Sequence, residues 1–63
     1  MTPARLDRWL GIAGNYWFQG CILNENNEWA TIGEPYPTES GAECCVEYWA
    51  KKNGIPLVWK ETK

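Results

Sequence analysis

The sequence predicts a small α+β domain: a three-stranded antiparallel-type sheet with one packed helix and a short N-terminal helix, in the order αββαβ. Three observations carry this prediction. An apolar stripe at helical spacing runs from Ala42 to Ala50, between a capping signal and an Asn-Gly stop. An aromatic and β-branched run over residues 16–23 is followed by an asparagine-rich turn and a second run of the same kind. A last β-rich segment, 55–61, follows Gly54. With 63 residues the chain reads as a single domain, 1–63. A domain of this size buries only ~60% of the surface its unfolded chain exposes. Five tryptophans, three tyrosines and one phenylalanine therefore have to supply the core.

Taken in order, Thr2-Pro3 has the form of an N-cap followed by proline at the first helical position. Leu6, Trp9, Leu10 and Ala13 then recur at i, i+3, i+4 and i+7, and Gly14-Asn15 would end such a helix. On this reading Trp9 belongs to the core. The segment Tyr16–Leu23 alternates into two faces, Tyr16, Phe18 and Ile22 against Trp17, Gln19, Cys21 and Leu23. Both are largely apolar, as in a central strand, and Gly20 leaves a gap for a bulge or a large neighbour. Asn24–Asn27 is turn chemistry and closes a hairpin onto Glu28–Gly33. Pro35 and Pro37 are expected to end that strand.

The second helix has the fullest pattern. Ser40-Gly41-Ala42-Glu43 has capping-box spacing, with Thr38 as a competing cap. Ala42, Cys45, Val46, Trp49 and Ala50 form the stripe, and Glu47 precedes Lys51 at i, i+4. Asn53-Gly54 and Pro56 terminate it. Ile55–Glu61 is the last strand, and Pro56 near its start fits either an edge position or the first residues of a strand.

Charge is segregated along the chain. Residues 1–8 carry +1, residues 9–50 carry −6 with neither lysine nor arginine, and residues 51–63 carry +3. The net charge of −2 hides this field. It favours a basic protein surface as partner over nucleic acid or an anionic membrane, because phosphate binding needs a basic face. The absence of histidine removes the usual proton shuttle and the serine–histidine and cysteine–histidine nucleophile pairs. Three cysteines without paired short spacing do not make a zinc site, and Cys45 on the apolar stripe reads as a small buried side chain. No phosphate loop is present. The expectation is a non-enzymatic chain without cofactor or metal.

No apolar stretch approaches the ~18–20 residues of a membrane span. Arg5, Asp7 and Arg8 interrupt the only apolar run resembling a secretory signal, so the cytoplasm is the expected compartment, with reduced thiols. Glu25, Glu28 and Glu34 fall on the hairpin and its exit, and Glu43 and Glu47 on the helix. These five are the candidates for steering a basic partner, with Trp29, Tyr36 and Trp59 as aromatic anchors. Two alternatives stand beside this reading. One is a homodimeric structural module closed by spare aromatics; the other is a single-stranded nucleic-acid binder that stacks bases on the sheet.

Over residues 16–61 the layout resembles that of small phage-encoded inhibitors, including those that bind host RNA polymerase. The residues that carry the resemblance are Glu28-Trp29-Ala30-Thr31, Pro37-Thr38-Glu39-Ser40, the Ala42-to-Ala50 stripe and Asn53-Gly54-Ile55-Pro56-Leu57-Val58. The segment from Thr2 to Ala13 departs from it. The resemblance implies a viral protein acting in the host cytoplasm on a polymerase or a CRISPR-type defence complex, as anti-CRISPR proteins do. It implies no functional residue.

Overall fold

The computed structural model describes residues 1–60, in the order β1 (Thr2–Leu10), β2 (Tyr16–Leu23), β3 (Trp29–Tyr36), α1 (Glu39–Lys52) and β4 (Leu57–Trp59). The strands form one mixed sheet in the order β3-β2-β1-β4, with β2 antiparallel to both neighbours and β4 parallel to β1. The α+β class is as expected, but the sheet has four strands where three were predicted. Glu61, assigned to the last strand from sequence, lies outside the described residues.

The extra strand is the segment read as an N-terminal helix. Its 3.6-residue spacing is coincidental: in β1, Leu6 and Leu10 take one face and Trp9 the other, while Ala13 lies in a turn. The two-residue alternation decides, since Ala4 and Leu6 are buried whereas Arg5 and Asp7 point to the opposite side. A central strand needs a hydrogen-bonded neighbour on each edge to satisfy its backbone N–H and C=O groups. β1 and β3 fill those places on β2, so β4 is displaced outward to the edge of β1. The β1–β2 ladder begins at Ala4↔Ile22, one residue after Pro3, which has no N–H to donate.

Both hairpins turn in the same way. Gly14 N–H donates to Gly11 O at 3.0 Å and Gly11 N–H to Asn15 O at 2.8 Å, with Gly14 at φ 86°. In the second hairpin Asn27 N–H donates to Asn24 O at 3.0 Å and Asn24 N–H to Glu28 O at 2.8 Å, with Asn27 at φ 63°. Each is a short loop with a left-handed residue in its last position. The Asn24 side chain adds to the second, its Oδ1 accepting from the N–H groups of Asn26 and Glu28 at 3.0 Å each.

β3 runs on to Tyr36, past the point where Pro35 was expected to end it. It does so through a bulge: Gly20 pairs with Ile32 and Phe18 with Tyr36, so Gly33–Pro35 carries extra residues opposite Gln19. Gly33 takes φ 75°, and Cys45 lies where a side chain there would project. The bulge absorbs a proline that a regular ladder would reject.

α1 is capped by Thr38, whose Oγ1 accepts from Gly41 N–H at 3.1 Å. The box expected at Ser40 is not used, because Ser40 is already inside the first turn. At the other end Gly54 N–H donates to Lys51 O at 3.3 Å and Ile55 N–H to Ala50 O at 2.8 Å, with Gly54 at φ 66°. That is a Schellman stop. α1 packs mainly on β3 and β2. Val46 rests on Gly20, where a β-carbon would collide with it, so the gap predicted at Gly20 is the contact point of helix and sheet. Ala4, Ile22 and Val46 form one core cluster, and Leu6, Phe18 and Ala42 a second, with Trp59 packed against both.

Candidate functional site

α1 covers one face of the sheet and leaves the other open. By strand alternation and register, the open face carries Arg5, Asp7 and Trp9 of β1, Trp17, Gln19 and Cys21 of β2, and Trp29 and Thr31 of β3. Two regions differ in character.

The first lies around β1's start, where charged and aromatic side chains of this chain contact one another. The Arg5 guanidinium lies over the Trp29 ring, 4.3 Å from its centroid. Its Nε is 2.9 Å from Asp7 Oδ1, in charge contact but without hydrogen-bond alignment. Cys21, opposite Arg5 on β2, is only 2% exposed and its thiol donates to Asp7 Oδ2 at 3.4 Å. Burial first, and then the Asp7 carboxylate, push this thiol up to about 11. It is a protonated, inert group, as a buried cysteine is expected to be.

The second region is the far end of the β1–β2 hairpin. Trp9 and Trp17 face each other across the two strands and remain 42% and 37% exposed. With Glu34 and Pro35 from the β3 bulge they line an open cleft of ≈ 470 Å³. The indole of Trp17 lies down against Gly11: a β-carbon there would stand 2.6 Å from its Nε1. Glycine at this position leaves room for the Nε1–Cδ1 edge of that ring. At the same end Ile12 is exposed in the turn, and Leu10 and Tyr16 are exposed on the other side of the sheet, with Arg8 over the Tyr16 ring at 4.9 Å. Of the eight large exposed apolar side chains among the described residues, five belong to this hairpin end. That concentration separates it from scattered surface apolar residues.

Of the residues chosen from sequence, only Glu34 joins this site. Glu25 and Glu28 sit in the β2–β3 turn, at the other end of β2 from Trp17, and Glu43 and Glu47 lie on α1. The acidic residues are thus divided over several surfaces. Trp29 lies under Arg5; Tyr36 and Trp59 are half-buried and pack on the core clusters beneath α1. Cys45 raises the Tyr36 phenol above its ordinary value, with a smaller push from Glu34. Trp9, placed in the core from sequence, is instead exposed, because a strand turns it away from Leu6. Trp9 and Trp17 were not among the anchors chosen. The signal that could have found them is their equal spacing about Ala13, between two aromatic-rich runs joined by Gly11–Asn15.

Comparison with protein-family models, curated proteins and solved structures finds no match to this chain. The site therefore rests on its own chemistry. It offers two indole faces, a proline ring and a carboxylate, on a face that nothing else among the described residues covers. Such a surface can grip an aliphatic or cationic group; it supplies no nucleophile beside a base. No helix among the described residues is long and apolar enough to cross a membrane.

Proposed function

We propose that this chain is a non-enzymatic protein-binding module that docks on a basic partner through the Trp9–Trp17–Glu34–Pro35 cleft, acting as an inhibitor or modulator of that partner. The observation that carries the reading is the pair of exposed indoles beside a carboxylate that joins no ion pair among the described residues. Tryptophans in such a setting are the usual anchors of an interface, and truncating one costs about 2 kcal/mol or more of binding energy. The remaining glutamates contribute a long-range field that speeds encounter with a cationic surface. A cytoplasmic partner whose basic surface serves nucleic acid, such as a polymerase or a defence complex, suits both features.

The test is capture of the partner from the cell that encodes the chain, with a photocrosslinking side chain at Ile12. Trp9→Ala and Trp17→Ala are each expected to reduce crosslinking about 30-fold, the equivalent of 2 kcal/mol. Both variants should keep the wild-type far-ultraviolet circular dichroism. Crosslinking only to a second copy of the chain, with a concentration-dependent dimer in sedimentation, would support the homodimeric alternative instead. Crosslinking that ignores both tryptophans would remove the cleft from the interface.

A further inference from the structure

We infer that the cleft receives the guanidinium of a partner arginine. The inference rests on the binding reading above and names the group recognised.

The first argument is internal precedent. This chain has two arginines, and both rest on aromatic rings of their own molecule: Arg5 on Trp29 at 4.3 Å, Arg8 on Tyr16 at 4.9 Å. Arg5 adds a carboxylate, with its Nε 2.9 Å from Asp7 Oδ1. Ring, guanidinium and carboxylate therefore already form one set on the open face. The cleft repeats two members of that set. It brings the rings of Trp9 and Trp17 together with Glu34, and among the described residues no cation of this chain lies over either ring or pairs with that carboxylate.

The second argument is the polarity of the walls. Indole faces carry negative electrostatic potential, and Glu34 adds a full negative charge. Pro35 has no N–H, and the Nε1 of Trp17 is turned toward Gly11. With the Glu34 carboxylate among these walls the cleft carries negative charge and acceptor character, which suits a cation and repels phosphate. Between arginine and lysine, an open cleft that sets two indoles beside a carboxylate favours the planar, weakly hydrated guanidinium, which can stack on a ring while bonding the carboxylate edge-on. A lysine ammonium would have to shed tightly held water to do the same.

The experiment follows the indole N–H resonances of ¹⁵N-labelled protein while acetyl-Gly-Arg-Gly-amide is added. Trp9 and Trp17 are expected to shift and saturate, while Trp29, already occupied by Arg5, stays still. The citrulline counterpart has nearly the same shape without charge, and it should bind at least about fivefold more weakly, as should the arginine peptide to Glu34→Gln. The Trp29 resonance reports that the variant remains folded. Equal binding of the citrulline peptide, or no saturable shift into the tens of millimolar, would overturn the inference. So would an oligothymidine that shifts Trp9 and Trp17 when the arginine peptide does not. If Trp9→Ala abolishes partner capture while the arginine peptide gives no response, the binding module stands and arginine recognition falls.

Discussion

The side chain of Gln19 is tied to the backbone of Gly33: its Nε2 donates to the Gly33 carbonyl at 2.8 Å and also to that of Ile32 at 3.1 Å. Gln19 is the buried polar residue of the sheet, and it fills the space that the β3 bulge opens opposite it. The bond fixes where the bulge projects, and the bulge carries Glu34 and Pro35 to Trp17. Gln19→Ala removes a donor shared by two carbonyls and is expected to cost about 1–2 kcal/mol in urea unfolding. It should also move the indole resonances of Trp9 and Trp17. A variant with unchanged stability and unchanged indole shifts would show that the bulge holds itself.

Gly20 and Val46 test the helix–sheet contact. In an ordinary strand, glycine to alanine stabilises by about 0.4–1 kcal/mol. Here the added β-carbon meets Val46, so Gly20→Ala should destabilise by about 1–3 kcal/mol. Val46→Ala opens the space, and the double variant should lose less than the two single losses together. Additive losses in thermal melts would mean that the helix lifts instead of the side chains clashing.

Gly11→Ala acts on the cleft and not on the core. The new methyl would displace the indole of Trp17, whose Nε1 would stand 2.6 Å away. The expected result is a changed Trp17 indole resonance and weaker partner capture, with stability altered by less than about 1 kcal/mol.

The two candidate caps can be separated directly. Thr38→Ala removes the acceptor of Gly41 N–H and should cost about 1 kcal/mol. Ser40→Ala, inside the first helical turn, should leave the denaturation midpoint within experimental error.

The thiols should differ in reactivity and in pH dependence. Cys44 is exposed and should react readily with an aromatic disulfide reagent in the native protein, whereas Cys21 should wait for unfolding. Cys21 holds its proton to about 11 when folded, against 9.0 for a thiol in the unfolded chain. Between those values the native chain binds more protons than the unfolded one, so its contribution to stability is complete below pH 9 and lost toward pH 11. Urea midpoints of wild type and Cys21→Ala should converge over that interval as pH rises. Parallel curves would mean that the buried thiol does not titrate with folding.

Much of the fold was legible in the sequence because several signals agreed. Ala42, Val46 and Ala50 carry the helix stripe into the core, Asn53-Gly54 ends it, and Asn24–Asn27 turns between two apolar runs. The N-terminal segment misled because Leu6, Trp9, Leu10 and Ala13 fit a helical period, and the competing alternation of Ala4 and Leu6 against Arg5 and Asp7 is only four residues long. Pro35 misled for a different reason. A proline ends a strand unless a bulge accommodates it, and this bulge depends on Gln19, fourteen positions earlier than Gly33. The Trp9–Trp17 pair was hidden by the same error, since a helix buries Trp9 and a hairpin displays it beside Trp17.

The parallel pairing of Thr2 with Leu57 also has a kinetic meaning. β1, β2 and β3 meet through short turns, but β4 reaches β1 only after the helix has crossed the sheet, and it then contributes three residues. Loop closure over so much chain gains little in return until everything else is in place. The meander and helix should therefore form first and the β4 edge last, and the native domain should open there first. The Lys60 amide, bonded to Ala4 O at 2.7 Å, is expected to exchange its hydrogen well before that of Cys21 in the sheet centre. Equal protection at both amides would show a sheet that opens only as a whole.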